Sequence, residues 1–176
     1  MLVLYEDNHL IAVYKENNEL VQGDITGDET LADRVKAYIK KTYKKPGDVF
    51  LGISHRIDRP VSGVVLFART SKALTRLNKM FQDGEIKKKY LAIVKERPPD
   101  IAEELTHYLK KNEKKNKTFA YYNEVKGSKL AKLKYEVLSR TDRYYLLDID
   151  LLTGRHHQIR SQLALIGSPI MGDLKY

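Results

Sequence analysis

The sequence predicts a protein of the mixed α/β class, and three observations carry that prediction. Short apolar runs bounded by turn residues recur along all 176 residues, as strands require. Between them lie stretches with helical spacing, each opened by a hydroxyl side chain and closed by glycine, proline or aspartate. There is no internal repeat, low-complexity tract or long linker, so the chain reads as one domain over residues 1–176.

The elements follow in order. Leu2 to Tyr5 and Leu10 to Tyr14 read as two short strands around the turn-forming pair Asp7-Asn8. Thr30 is placed to cap a helix whose apolar face is Leu31, Val35, Tyr38 and Ile39, and Pro46-Gly47-Asp48 ends that unit. Val64 to Ala68 is wholly apolar, which predicts a central strand. Ser71 is expected to cap a second helix with Leu74, Leu77 and Phe81 on one face, closed by Asp83-Gly84. Tyr90 to Val94 is a strand, broken at Arg97-Pro98-Pro99. Phe119 to Tyr122, Leu133 to Leu138 and Tyr144 to Leu151 complete the strands. Thr153 is expected to cap a last helix that buries Ile159, Leu163 and Ile166 and stops at Gly167 and Pro169.

Composition narrows the chemistry. Lys and Arg number 32 against 23 Asp and Glu, a formal net charge of +9, which points to a polyanionic partner such as nucleic acid or an acidic membrane surface. Cysteine is absent, which excludes disulfides, thiolate metal sites and a thiol nucleophile. No apolar run is long enough to span a bilayer, and the N-terminus lacks the pattern of a signal peptide, so a cytoplasmic protein is expected. The segment Lys110-Lys111-Asn112-Glu113-Lys114-Lys115-Asn116-Lys117 reads equally as a basic loop for phosphates or as a solvated hairpin tip.

Two clusters carry the chemistry. In His55-Arg56-Ile57-Asp58-Arg59-Pro60-Val61-Ser62-Gly63 one acid sits between two arginines at the mouth of the apolar strand. In an extended segment Arg56 and Asp58 project to one side. A carboxylate beside a cation near a core must be paired or used. The second cluster is Thr153-Gly154-Arg155-His156-His157-Gln158-Ile159-Arg160. At a helix N-terminus its polar groups favour an anion near Arg155, and Arg160 is placed to reach a carboxylate from elsewhere, Asp58 being the candidate. On a helix, neighbouring His156 and His157 diverge by about 100°, which argues against a shared metal ion. Their remaining roles are packing and contact with a nucleic acid. His55 is not part of a triad, Ser62 is not in a nucleophile elbow, and neither a phosphate loop nor a dinucleotide fingerprint occurs.

These residues carry a family resemblance. The chain resembles the RluA-type pseudouridine synthases, whose signature His-Arg-Leu-Asp-x-x-Thr-Ser-Gly stands here as His55 to Gly63. A second family segment, Lys-x-Tyr-x-Ala-x-Val, is similar to Lys88 to Val94. A third, Thr-Gly-Arg-x-His-Gln-Ile-Arg followed by Gly-x-Pro-Ile-x-Gly-Asp, matches Thr153 to Arg160 and Gly167 to Asp173. With the opening Tyr5 to Leu10, the ordered matches cover nearly the whole chain.

The resemblance implies an α+β fold with a central, mainly antiparallel mixed sheet flanked by helices and a basic cleft. It implies isomerisation of a specific uridine in structured ribosomal or transfer RNA to pseudouridine, with no cofactor or metal and with a monomer as the default. Asp58 takes the place of the catalytic aspartate, Arg56 of the arginine that fills the gap left by the flipped nucleotide, Tyr90 of the tyrosine under the target uracil, and Arg160 of the arginine paired with the aspartate. With Arg56, residues His55, Arg59, Arg155 and His157 are expected along the RNA. One carboxylate suffices because the leaving base is retained, whereas glycoside hydrolysis uses two. Attack on the sugar and removal of its 2′-proton both remain open. A paired uridine must first leave its stack.

Several departures set further expectations. Val61 stands where the family has threonine. Lys15-Glu16-Asn17-Asn18-Glu19 replaces a Lys-Pro-x-Gly turn, so a looser loop is expected there. A chain without a separate small RNA-binding domain before the catalytic part is expected, and the given sequence stops at Tyr176, short of the family's further elements, which is expected to open part of one sheet. The competing readings are a non-catalytic RNA-binding or RNA-folding factor, and a nucleoside or glycoside hydrolase that releases free base.

Overall fold

The computed structural model describes residues 1–23 and 27–176. The class is α+β, with antiparallel sheets and three helices among the described residues. The chain divides into two compact units, Met1–Glu85 and Ile86–Tyr176.

The first unit holds β1 (Leu2–Glu6), β2 (Leu10–Lys15), α1 (Leu31–Thr42), β3 (Gly52–Ile53), β4 (Gly63–Ala68) and α2 (Ser71–Gln82). The sheet order is β1-β2-β4-β3, so the apolar run at residues 64–68 is an interior strand as its composition predicts. Asp7 closes the first hairpin by accepting the N–H groups of His9 and Leu10 at 2.7 and 2.6 Å. Helix α1 buries Leu31, Val35 and Ile39, one residue per turn, against Ile11, Val13, Val65 and Phe67 of β2 and β4. It opens with a reciprocal box: the Asp33 N–H donates to Thr30 Oγ1 and the Thr30 N–H to Asp33 Oδ2, each at 3.1 Å.

Helix α2 is capped one residue earlier than expected. Thr70, not Ser71, has the extended backbone of a cap, and its Oγ1 accepts the Ala73 N–H at 3.1 Å. Gly52 in β3 faces the helix so closely that a Cβ there would stand 2.8 Å from Leu74. Only glycine lets β3 and α2 approach to that distance.

The second unit holds β5 (Lys89–Val94), β6 (Ala102–Asn112), β7 (Lys117–Tyr121), β8 (Lys129–Arg140), β9 (Tyr145–Leu151) and α3 (Gln158–Leu165). Its sheet order is β5-β9-β8-β6-β7, antiparallel throughout. The core gathers Val94, Leu105, Leu133, Leu147 and Ile149 from the strands with Leu163 from α3. Strand β6 is absent from the sequence-based reading. Its inward positions are Leu105, His107 and Leu109, and a buried histidine in the middle breaks the apolar alternation. The lysine-rich segment is the β6–β7 hairpin, with Lys110 paired to Phe119 and Asn112 to Lys117 around a four-residue turn. Among the described residues no further strand lies on the outer edge of β5. The chain returns there instead: Val94 bridges Ile170, and the Met171 N–H donates to the Ile93 carbonyl at 2.7 Å.

Replacing Thr30 with alanine removes the acceptor for Asp33 and the anchor of the box. The variant is expected to lose about 1 kcal/mol of stability in urea unfolding, with an unchanged slope against denaturant.

Candidate active site

Asp58 lies in the connection between β3 and β4. Its carbonyl accepts the Val61 N–H at 3.0 Å, which closes a turn over Arg59 and Pro60. Beneath that turn sits Lys15, the last residue of β2. Strand alternation turns Ile11, Val13 and Lys15 inward together, and the lysine is fully buried. Its ammonium donates to three carbonyls, those of Glu16 at 2.9 Å, Arg59 at 3.0 Å and Val61 at 2.6 Å. All three ammonium donors are thereby used, as a buried cation requires. Burial pushes the Lys15 pKa down, and the nearby Asp58 carboxylate opposes that by favouring the charged form. Gly63 pairs with Lys15 in the β2–β4 register at φ +147°, a backbone that carries the chain out of the turn and into β4 without a side chain in the way.

The flanking residues divide their tasks. Arg59 stays within the protein: its Nε donates to the Asn18 carbonyl at 3.1 Å, and its guanidinium pairs with Asp28 at 3.0 Å. That contact braces the turn after β2, which is closed rather than loose. Asn18 takes the left-handed backbone at φ +64°, Glu19 accepts the Glu16 N–H at 2.7 Å, and the same carboxylate pairs with Arg34. Side chains thus do what a Pro-Gly pair would do with backbone alone. His55 is also built into the fold. Its Nε2 accepts the Leu66 N–H of β4 at 2.9 Å, beyond the end of the two-residue strand β3, and its ring packs on Phe81 at 5.0 Å. In that bond Nε2 carries no proton. Arg56 is exposed, with no partner among the described residues, and Asp58 is half-buried.

In the second unit the segment before α3 departs from the expected cap. The helix begins at Gln158, and its cap residue is His157 in the left-handed conformation, φ +49°, with no side-chain capping bond. Residues 153–157 are therefore a loop, not a first helical turn. Gln158 folds back to hold it: its Oε1 accepts from Thr153 Oγ1 at 2.8 Å and from the Arg155 N–H at 2.9 Å, while its Nε2 donates to the Lys132 carbonyl of β8 at 3.0 Å. Arg155 is exposed, and its Nε donates to the Leu130 carbonyl at 3.0 Å. His156 and His157 do not diverge as helical neighbours would. Their rings stack at 3.8 Å, with Nδ1 of His156 on Thr118 Oγ1 at 2.8 Å and Nδ1 of His157 on the Tyr176 hydroxyl at 2.9 Å.

Arg160 is held on one edge by Asp173. Nε and Nη2 donate to the two carboxylate oxygens at 2.6 and 2.8 Å, and the guanidinium lies over the Tyr176 ring at 5.1 Å. Tyr176 is itself fixed, its hydroxyl accepting the Thr118 N–H at 2.7 Å. Burial alone would raise the Asp173 pKa, but the Arg160 fork and the N–H groups of Lys175 and Tyr176 outweigh it and hold the carboxyl below its ordinary 3.8. Tyr90 lies on β5 opposite Ile149 of β9, half-buried against the second core.

The structure thus groups Asp58 with His55 and Arg59 on one loop of the first unit, and Arg160 with His157 in the second. Lys15, Gln158, Asp173 and Tyr176 were not singled out from the sequence. For Lys15 a signal exists: it is a lysine on the inward phase of an otherwise apolar strand.

Comparison with known proteins places this geometry in context. A family model described as RNA pseudouridylate synthase matches residues 9–165. The ribosomal large subunit pseudouridine synthase C of Buchnera aphidicola (subsp. Acyrthosiphon pisum) is 33% identical over 174 residues, 99% of this chain and 53% of that protein. The tRNA pseudouridine synthase C of Salmonella typhimurium is 32% identical over 186 residues, 99% of this chain and 68% of its own length. This chain spans about half the length of the first of these relatives. The solved structure of Human RNA Pseudouridylate Synthase Domain Containing 4 shares the fold, with a TM-score of 0.84 at 23% identity over 99% of this chain and 68% of that one.

Lys15→Met leaves three carbonyls without their donor, and is expected to lower stability by about 3 kcal/mol in denaturant titration. Because the Asp173 pKa is depressed on folding, the stability it contributes is complete above 3.8 and is lost as pH falls through the lower folded value. Asp173→Asn is expected to remove that acid-dependent step from a stability–pH profile and to lower stability at neutral pH.

Proposed function

This chain belongs to the RNA pseudouridylate synthase family, and from that premise we propose that it isomerises a uridine in structured RNA to pseudouridine, with Asp58 as the catalytic carboxylate. The observation that carries the reading is the Asp58 loop: a half-buried acid on a turn whose carbonyls are held from below by a buried ammonium. Such a loop holds its carboxylate in position before substrate arrives, which is what positioned acid–base or nucleophilic chemistry needs.

The reaction balances without a second substrate. The bond between uracil N1 and ribose C1′ breaks, its electron pair leaving with the base. The retained base turns and forms a bond from C5 to C1′, C5 loses its proton, and N1 ends protonated. Asp58 serves at the sugar and at the C5 proton, so no water is activated and no second carboxylate is required. Arg160, forked by Asp173 and backed by Tyr176, is the fixed cation of this reading. Tyr90 stacks under the target uracil, and exposed Arg56 takes the place of the everted nucleotide. The net charge of +9 supplies attraction to the phosphate backbone. The names of the relatives support ribosomal or transfer RNA as the substrate class.

Incubation with uridine-labelled ribosomal and transfer RNA tests the reading. Pseudouridine is the expected product. Free uracil would make the protein a hydrolase, and no product would make it an RNA-binding factor. Asp58→Asn is expected to melt with the wild-type protein while product formation falls at least about a thousandfold.

A further inference from the structure

Lys88 and Lys89 are neighbours in sequence that the fold treats in opposite ways. Lys89 reaches across the β5–β9 pair to Asp148 at 2.9 Å and Asp150 at 3.3 Å. Lys88 extends the strand by one residue, its carbonyl accepting the Leu151 N–H at 2.9 Å. Alternation sends it to the other side, the side taken by Tyr90, Ala92 and Val94. There it is half-buried, and its ammonium lies 3.9 Å from where a Cβ on Gly154 would stand. No carboxylate and no hydrogen-bond acceptor meets that ammonium among the described residues, and burial holds its pKa below the ordinary lysine value. A partly desolvated cation without a counter-charge costs free energy, and the fold has spent two acids on the lysine next door.

A second cation stands on the same loop. Arg155 follows Gly154, is exposed, and has its Nε fixed on the Leu130 carbonyl with no acid on its guanidinium among the described residues. Gly154 has no side chain, so an anion can settle against its backbone beside Lys88, with Arg155 the next residue of the same loop.

We propose that Lys88 is a phosphate-binding residue that takes, together with Arg155, a phosphodiester of the RNA adjoining the nucleotide held at Tyr90. The inference rests on the reading of this chain as an enzyme acting on uridine in RNA. A phosphodiester suits the site because it is a single anion carried by every RNA strand, and because a contact of this kind positions the strand without reading its sequence.

Two variants, Lys88→Met and Lys88→Arg, test it by melting temperature and by affinity for ribosomal and transfer RNA across a salt series. Lys88→Met is expected to melt at or above the wild-type temperature, since it removes an uncompensated charge from a half-buried position. Its affinity is expected to fall about tenfold, the worth of one charge-assisted hydrogen bond. The slope of log affinity against log salt should become shallower by roughly 0.7–0.9, the counterions released by one phosphate contact. Lys88→Arg should restore both affinity and slope. A lower melting temperature for Lys88→Met, or an unchanged salt slope, overturns the assignment. Pseudouridine measured in the same RNA with the wild-type protein judges the parent reading separately: absence of product sinks that reading, while the affinity series still decides for or against Lys88.

Discussion

The ammonium of Lys15 is the contact on which the first unit's Asp58 loop depends. It occupies a position where the β2 alternation asks for an apolar side chain, and a lysine there is tolerated only because three carbonyls converge on it. Two of those carbonyls belong to residues 59 and 61, on the far side of the turn that begins at Asp58. The cation therefore fixes the path of the backbone on which the acid is carried. The Asp58 carboxylate in turn favours the charged form of Lys15. From this contact the rest follows outward: Arg59 is directed to Asn18 and Asp28, and the turn after β2 is drawn against the same loop.

The second unit solves a related problem on a helix. The fold orients Arg160 by occupying one edge of its guanidinium with Asp173 and one face with Tyr176. The stacked pair His156 and His157 completes the setting by tying the loop before α3 to Tyr176 and to Thr118 of β7. The left-handed backbone at His157 is what separates this loop from the helix, and it leaves Thr153 to bond sideways to Gln158 and β8 instead of capping. Lys15, Arg59 and Arg160 are satisfied within the protein, whereas Arg56, Lys88 and Arg155 meet no acid among the described residues.

Much of the fold was legible because local chemistry and packing agree. Thr30 with Asp33 three residues on marks a helix start, and the apolar run in β4 marks an interior strand. Strand β6 was not legible, since His107 sits where its pattern needs an apolar residue and its burial rests on Gln162 from α3 at 3.1 Å. The shift of the α2 cap from Ser71 to Thr70 turns on backbone angles that two adjacent hydroxyl residues do not reveal. The motifs singled out Asp58 and Arg160 as candidates, but the groups packed around each of them come from distant parts of the chain. Asp173 lies thirteen residues beyond Arg160, and two of the three Lys15 acceptors lie more than forty residues from it, so only the folded chain brings them together. The tasks of Arg59 and His55 were hidden for the same reason: each meets a backbone group of another segment.

The return of the chain along β5 has a consequence beyond the single molecule. Leu91 and Ile93 are 68% and 50% exposed on this outermost strand, the composition that lets sheets of separate molecules join edge to edge. The bridge from Val94 to Ile170 and the bond from Met171 to Ile93 occupy backbone groups at one end of that strand. The short passage after α3 thereby acts as a guard on solubility. It shortens the stretch of that greasy border which a neighbouring molecule could extend.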